Sequence, residues 1–493
     1  MGLIIPLLVA VLAVLLVAHL LQRYKLRKIP QPRSYPIIGH LLICRPDPVG
    51  FMNQIMGMGA LYPRDPRMCL FWLGPFPALM VYSAKLLQPI FGTAKHLNKG
   101  LIYTFLVPWL GQSLLISTAE RWRPKRKLLT PTFHYDILKD FLPIFNQQGK
   151  VLVEKLTAVA DSTNPVMEVL STVTLCTLDI ICETSMGRSV HAQQTPAGEK
   201  NSYVEAVHTI NDIIQNRTTN PLMWADPIFY LFGRGREHDH CLSILHGFTK
   251  KVIEERRAEL EALDWKLEGR RAFLDLLLEM AHKGEFPMED IASEVDTFMF
   301  EGHDTTSTAL SWALHLIGNH PEVQQKIQKE LDEVLGASNY VTHEDLSRLN
   351  YLEAVIKETL RLYPSVPIVV RELGEDEDFD GTVVPKGTII LANLMLVQRD
   401  PAEWPEPDLF KPERHIHAEK NHAFAWVPFS AGGRNCIGQR FAMLEMKTVL
   451  AEILHHFTIT SIEKTYDARP KTELILRNLA GLHVKIAHRQ MFH

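Results

Sequence analysis

The chain has 493 residues, with 52 Lys and Arg against 56 Asp and Glu, and a formal net charge of −4. This near balance excludes the basic surface of a typical nucleic-acid-binding protein. Six cysteines are scattered without a CxxC pair, which excludes a zinc site or a disulfide scaffold and fits a reducing compartment. The length suggests about three domains, but no repeat, low-complexity block or Gly/Ser linker divides the chain, so we expect one large domain after an N-terminal segment.

The first element is an apolar segment. Leu3 to Leu21 contains no Asp, Glu, Lys or Arg, and as a helix it would be about 28 Å long, which matches a bilayer core. The basic residues between 23 and 28 predict that the rest of the chain faces the cytosol. A cleaved signal peptide would have a basic residue before the apolar run and small residues at its end, and this sequence has neither. We therefore expect a transmembrane anchor over residues 1–22.

A basic, proline-rich hinge is expected over residues 23–40, because its prolines favour an extended connector. The remaining residues, 41–493, would form the catalytic domain. Within it, 70–74 and 78–82 read as two short strands across a Gly-Pro turn. The segments 388–392 and 482–486 read as further strands.

A basic helix is predicted around residues 120–127. Trp122 and Arg126 are four residues apart and share a helix face. An indole N–H and a guanidinium can together bind a buried anion. Taken alone, the segment could equally be a solvated basic face, and Arg123, Lys125 and Lys127 suit an acidic partner protein. The pattern is then mostly helical from 138 to 271.

A long helix is predicted from Met288 to Asn319, because Pro321 stops it and starts the next helix. The helical period places several residues near one face: Val295, Phe298, Gly302, Thr305 and Ala309. Gly302 and the neighbouring hydroxyl groups could loosen the helix locally and make room for a small ligand. Asp304 and Thr305 form an acid–alcohol pair, although a capping or back-bonding cluster of hydroxyl residues would look the same.

Further charged residues come after the long helix. Glu358 and Arg361 lie three apart on one helix face, which alone predicts only a surface ion pair. Arg371 lies on a predicted strand, and Arg414 comes after a proline-rich stretch.

A glycine-rich loop carries the strongest chemical signal. Cys436 lies between Pro428 and Ala442 with three glycines, Gly432, Gly433 and Gly438, and an amphipathic helix pattern comes next. Glycines allow positive φ and bring backbone N–H groups close to the sulfur, and a helix N-terminus stabilises a thiolate. A buried structural cysteine in a turn is the alternative.

The full pattern of this loop, F-x-x-G-x-R-x-C-x-G from Phe429 to Gly438, resembles that of the cytochromes P-450. The resemblance implies a mainly α fold with a small β region and haem b, with Cys436 as the thiolate ligand of the iron. It implies that Phe429 covers the sulfur, and that residues 103–115 and 138–271 form much of the substrate cavity. It also implies that the haem propionates are bound by Trp122, Arg126, Arg371 and Arg434.

The resemblance extends to the other motifs. It implies that Asp304 and Thr305 deliver protons to iron-bound oxygen, and that Glu358, Arg361 and Arg414 form one buried network that fixes the cysteine loop. Position 415 is His where the family usually has Phe, and we expect it to fill the same space.

The family 4 branch is the most similar, through Glu301–Thr306, Thr130–His134 and Phe441–Lys447. That branch hydroxylates fatty acids and related lipids, often at the ω carbon. The matching glutamate of many members forms an ester with a haem methyl group, which we expect for Glu301. The alternative is a protonated or hydrogen-bonded carboxyl group that only lines the cavity.

The expected enzyme is thus a monooxygenase in the endoplasmic reticulum membrane, with its catalytic domain in the cytosol. Electrons would come from NADPH through a separate NADPH–cytochrome P-450 reductase, with cytochrome b5 as a second donor. No nucleic-acid partner is expected, and no G-x-G-x-x-G segment indicates a fused reductase. Two alternatives remain open: a monooxygenase of sterols or xenobiotics, and a haem-thiolate isomerase or dehydratase that needs no reductase.

Overall fold

The computed structural model describes residues 4–45, 47–63, 65–133, 138–196, 199–266, 269–338, 340–416 and 421–490. Leu3 and His134, named above, lie outside the described residues. Within these ranges the helices are α1 Ile4–Leu26, α2 Pro48–Leu61, α3 Ala84–Phe91, α4 Val107–Leu110, α5 Ala119–Leu129, α6 Leu142–Ala160, α7 Val169–Ile181, α8 Ser202–Thr219, α9 Asp226–Phe232, α10 Gly235–Ala262, α11 Phe273–His282, α12 Met288–Asn319, α13 Pro321–Leu335, α14 His343–Arg348, α15 Asn350–Leu362, α16 Leu394–Val397 and α17 Gln439–His456.

The strands are β1 Met68–Leu73, β2 Phe76–Val81, β3 Val166–Glu168, β4 Ile368–Glu372, β5 Glu377–Phe379, β6 Thr382–Val384, β7 Ile389–Asn393, β8 Phe457–Ser461, β9 Pro470–Thr472, β10 Leu476–Asn478 and β11 His483–His488. The largest sheet has the order β1-β2-β7-β4. Three small sheets pair β3-β11-β8, β9-β10 and β5-β6. The predicted mainly α fold with a small β region is confirmed, as are the four predicted strands, within two residues.

Helix α12 is the centre of the fold, and its observed bounds are those predicted from the sequence. It packs along α7 and against β8. Two glycines permit this close packing: a Cβ on Gly302 would lie 2.5 Å from the Ile181 side chain, and one on Gly318 would lie 2.6 Å from the Ser461 nitrogen. The helix is continuous through Gly302, so the predicted local loosening was wrong. Gly302 serves packing against α7.

Helix α1 extends to Leu26, past the boundary expected at residue 22. Its end rests on β1, where the His19 ring meets the Trp72 ring edge-on at 5.2 Å. The segment after it is docked rather than free, because Leu70 donates its N–H to the Pro30 carbonyl oxygen at 2.8 Å. Among the residues whose side chains the structure describes, which leave out most of the N-terminal half of α1, one segment is long and apolar enough to cross a membrane. It is Val169–Met186, and 72% of it is buried inside the fold, as for a core helix.

Candidate active site

A cavity of about 390 Å³ lies between the cysteine loop and helix α12. The α12 residues Phe298, Gly302, Thr305 and Ala309 line it, as the predicted face requires, but Val295 does not. The β9–β10 turn and the C-terminal end of α8 complete the wall. The cavity therefore has the Cys436 sulfur on one side and one face of α12 on the other, although these lie more than a hundred residues apart in the chain.

Cys436 lies just before α17, and its sulfur is exposed to this cavity rather than to bulk water. The loop is held closed by the Cys436 N–H, which donates to the Phe429 carbonyl oxygen at 2.9 Å. Of the three loop glycines only Gly432 has a positive φ, of 70°, and a Cβ there would lie 1.8 Å from the Phe91 carbonyl oxygen. The prediction of positive φ was wrong for the other two, and Ser430 adopts it instead, at 57°.

The electrostatics of the sulfur differ from the simple expectation. Burial, with a smaller contribution from Glu301, raises the pKa of the Cys436 thiol to about 12, and the Gly438 N–H and Arg126 oppose this rise. Loop amides and helix end are therefore insufficient by themselves to hold a thiolate at neutral pH. A bound metal cation would supply the missing stabilisation, because metal binding and thiol deprotonation are coupled.

Arg126 and Trp122 both line the cavity, as predicted. The Arg126 guanidinium donates to Asn435 twice, to the carbonyl oxygen and to Oδ1, each at 2.8 Å. It therefore fixes the residue that precedes Cys436. The Trp122 ring stacks with Arg434, whose Cζ lies 4.7 Å from the ring centroid.

Lys125 was expected to face a partner protein, but it is buried. Its Nζ lies 2.9 Å from Glu294 Oε1 and 3.0 Å from Asp290 Oδ2 on α12. That part of the docking prediction was wrong, whereas Arg123 and Lys127 of α5 are exposed.

Arg371 and Arg434 face the cavity from β4 and from the cysteine loop. Two nitrogens of Arg434 donate to the carbonyl oxygens of Leu114, at 3.1 Å, and Ser117. Its Nε is buried and has no partner in the described part of the chain. Burial, followed by repulsion from Arg371, lowers the pKa of Arg434 to about 9. These two cations are thus poised for an anion.

Lys99 is a third cation of this cluster, and sequence reasoning missed it. It lines the cavity, and within the described ranges no carboxylate comes within 4.0 Å of its Nζ. Burial and repulsion from Arg371 and Arg434 hold its pKa well below the usual range. The only available signal was a lone Lys before Gly100, four residues ahead of the segment 103–115 that was expected to line the cavity.

These residues fit haem b. It brings two carboxylates, which match the three under-neutralised cations and the unpartnered Arg434 Nε. Its iron accepts a thiolate, which matches Cys436. Phe429 lines the cavity beside the loop, as expected. When bound, haem supplies the activation of dioxygen, and the protein supplies position, protons and exclusion of water.

On the opposite wall, Thr305 donates its hydroxyl to the Glu301 carbonyl oxygen at 2.6 Å. The Glu301 side chain lines the cavity. Burial raises the pKa of Glu301 to about 7, although Lys99 opposes this rise. A carboxyl group in this state is neutral in part at physiological pH.

Asp304 and Thr305 lie on different faces of α12. Asp304 is fully buried, forms an ion pair with Arg477 and accepts a hydrogen bond from Asn211 at 3.1 Å. It is absent from the cavity wall. Arg477, followed by His208, lowers the pKa of Asp304 against the effect of burial. The Asp304 carboxylate of the predicted acid–alcohol pair is thus ionised, and Arg477 binds it on the side of α12 that faces away from the cavity.

The structure brings Glu358, Arg361 and Arg414 together. Arg361 donates to both oxygens of Glu358, at 2.8 and 2.9 Å, and Arg414 Nε lies 3.4 Å from Oε1. His415 is also a partner, with Nε2 3.0 Å from Glu358 Oε2. The expectation that His415 only fills space was therefore incomplete, although its ring does pack beside Trp404.

A mainly α fold with a cavity between a cysteine loop and a long helix defines the class of haem-thiolate proteins. A family model described as Cytochrome P450 matches residues 29–484. Cytochrome P450 4V2 of Homo sapiens is 44% identical over 498 residues, covering 96% of this chain and 94% of its own length. Cytochrome P450 4c3 of Drosophila melanogaster is 40% identical over 485 residues, with coverage of 94% and 90%. The chain belongs to the cytochrome P450 family, and these relatives are members of its family 4. It is a haem b monooxygenase, a class that takes its electrons from a redox partner.

Proposed function

We propose that this enzyme hydroxylates fatty acids or related lipids at or near the ω carbon. The observation that carries the proposal is the cavity itself. Between Cys436 and the Phe298–Ala309 face its wall is mainly apolar, and about 390 Å³ is within the range of small-molecule sites. An alkyl chain has no polar group to satisfy there, so it can place its terminal carbon against the haem-binding region.

In this proposal Cys436 binds the iron, and Thr305 takes part in proton transfer to dioxygen. The Thr305 hydroxyl already donates to the helix backbone, so its oxygen is available as an acceptor within the cavity. Asp304 can join it only if its carboxylate leaves Arg477, since it lies behind the helix.

The test is NADPH consumption by the purified enzyme with NADPH–cytochrome P-450 reductase, with and without cytochrome b5, in the presence of a saturated fatty acid. We expect a product with one added oxygen at or next to the terminal carbon. Thr305→Ala should retain haem and substrate binding but release more peroxide and less product per NADPH. Conversion of a fatty-acid hydroperoxide without reductase, with no conversion of the saturated acid, would instead support a peroxide isomerase or dehydratase.

The Cys436 assignment has its own test. The reduced wild type under carbon monoxide should show the long-wavelength absorption of thiolate-bound haem, and Cys436→Ala should not. A wild-type spectrum in that variant would contradict the assignment.

We also propose that Glu301 forms an ester with a haem methyl group. The buried Glu301 carboxyl lines the cavity with a raised pKa, and esterification removes its charge. Since the methyl group must first be oxidised, the bond should appear only after turnover. Mass spectrometry of turned-over enzyme in denaturing acid should find a haem-sized mass on the Glu301 peptide, and Glu301→Ala should lose it. Freely extractable haem after many turnovers would contradict the ester alone.

The membrane placement is a proposal as well. The apolar run within α1 and the basic residues after it support an anchor in the endoplasmic reticulum membrane with a cytosolic catalytic domain. Protease added to sealed microsomes should then digest the domain, and protection would contradict this topology.

A further inference from the structure

The loop between α4 and α5, residues 111–118, joins the two halves of the site. Leu114 and Leu115 of this loop line the cavity. The Leu114 N–H donates to Glu294 Oε2 on α12 at 3.0 Å, and the Leu114 carbonyl oxygen accepts from Arg434 at 3.1 Å. One residue of the cavity wall is therefore bound on one side to the long helix and on the other to the cysteine loop.

Lys125 completes this arrangement from α5. Its Nζ donates to Glu294 Oε1 at 2.9 Å and to the Gln112 carbonyl oxygen at 2.7 Å. The loop is also pressed against α12 at its start, because Gly111 has a φ of 53° and a Cβ there would lie 2.1 Å from Ser293 Oγ. Glu294 is fully buried and Lys125 is 7% exposed.

A buried ion pair is a poor source of stability, because desolvation offsets most of the attraction between its charges. Its better-attested use is to fix one arrangement among several. Here the arrangement that is fixed is the distance of the Leu114–Leu115 wall from α12, together with the direction of Arg434.

We propose that Glu294 and Lys125 are positioning residues that determine which carbon of the substrate is oxidised. The inference rests on the proposed function in one respect, that an alkyl chain lies along this wall. A shift of the wall by a fraction of an ångström moves the chain end relative to the haem-binding region, and such displacements are costly in selectivity.

The test compares Glu294→Gln with a matched control, Asp275→Asn. Asp275 is also buried, accepts the Ala272 N–H at 2.8 Å and pairs with Arg256 at 2.6 Å, but neither of these partners lines the cavity, whereas Leu114, the partner of Glu294, does. Both variants should lower the Tm of the haem-loaded protein. Only Glu294→Gln should change the ratio of terminal to subterminal products from dodecanoic acid, by about threefold or more.

A double variant, Glu294→Leu with Lys125→Met, separates position from stability. The apolar pair should recover part of the lost Tm, but not all of it, because Asp290 also loses its partner Lys125. The altered product ratio should persist, because the Leu114 N–H has lost its acceptor. Unchanged product ratios in both Glu294 variants would overturn the proposal and leave the pair a purely structural one.

A second readout requires no turnover. N-alkylimidazoles of increasing chain length bind to haem iron and can be followed by absorption. We expect the chain-length optimum of Glu294→Gln to move by one or more carbons, whereas that of Asp275→Asn stays in place. If the wild type oxidises no fatty acid, the proposed function fails, and this length profile still decides the role of Glu294.

Discussion

Two charged regions near the cysteine loop use the same residue types in opposite ways. In the first, the Glu358 carboxylate has Arg361, the Lys411 N–H and His415 as partners. These partners outweigh burial and lower the pKa of Glu358 to about 2. In the second, which we call the cation cluster, Lys99, Arg371 and Arg434 face the cavity together. No carboxylate of the described residues lies within 4.0 Å of any of them.

The difference separates a structural network from a binding site. A network that closes on itself gains its full interaction energy on folding. A cluster of buried like charges costs energy until an opposite charge arrives, and we propose that the two carboxylates of haem are that charge. The comparison predicts that the first region responds to mutation through folding, and the second through cofactor binding.

The largest effect is expected for Glu358→Ala. This change leaves Arg361 buried without a counter-ion, which should cost about 3–5 kcal/mol of unfolding free energy. Chemical denaturation, or the yield of soluble haem-loaded protein, measures the loss. Glu333→Ala on α13, which removes a 66% exposed carboxylate paired with the 78% exposed Lys329, should cost about 1 kcal/mol or less. Equal losses in both variants would remove the distinction.

The next effect concerns pH. The pKa of Glu358 is depressed, so its contribution to stability is complete above pH 4.5 and is lost as the pH falls towards 2. The pKa of Glu301 is raised from 4.5 to about 7, so Glu301 affects the unfolding free energy in the opposite sense. The protein becomes less stable as the pH rises from 4.5 to 7. By linkage the cost should reach about 3 kcal/mol above pH 7.

Glu301→Gln provides the measurement. The variant should become more stable than the wild type as the pH rises from 5 to 8, if the wild type has not yet turned over. Enzyme that has formed the proposed ester should lose this pH dependence, since an ester does not titrate. A constant difference between variant and wild type across this range would contradict the raised pKa.

Local patterns in the sequence were enough to predict the elements that carry these groups. The apolar period and Pro321 placed α12 at its observed bounds, and the loop pattern placed Cys436 beside the cavity. What could not be predicted were long-range partners. Glu294 lies 169 residues from Lys125, with which it forms a buried ion pair, and Arg477 lies 173 residues from its partner Asp304. Such pairs depend on tertiary packing, and the hydrophobic periodicity of a helix or strand does not predict them.

Lys99→Met tests the cation cluster. Its effect on the stability of the haem-free protein and its effect on haem retention should have opposite signs. Without haem, removal of a repelled buried charge should leave the unfolding free energy equal or higher. With haem, one propionate partner is lost, and transfer of haem to apomyoglobin should become about tenfold faster, equivalent to about 1.4 kcal/mol. Arg123→Met, an exposed cation of α5, is the control and should change neither quantity. Slower haem loss in Lys99→Met would show that Lys99 does not bind the cofactor.

A similarly small effect is expected for His415→Phe, which installs the aromatic residue usual in the family. The ring should still pack beside Trp404, since it keeps the planar shape of His415. The hydrogen bond to Glu358 Oε2, however, disappears. Because Arg361 and the Lys411 N–H still bind this carboxylate, the loss should be about 1.5 kcal/mol, the lower end for one hydrogen bond to a charged group, rather than that of a broken network. His415→Gln, which keeps a donor but loses the ring, distinguishes the two contributions. If the Gln variant is the less stable of the two, packing dominates at this position and the hydrogen bond is secondary.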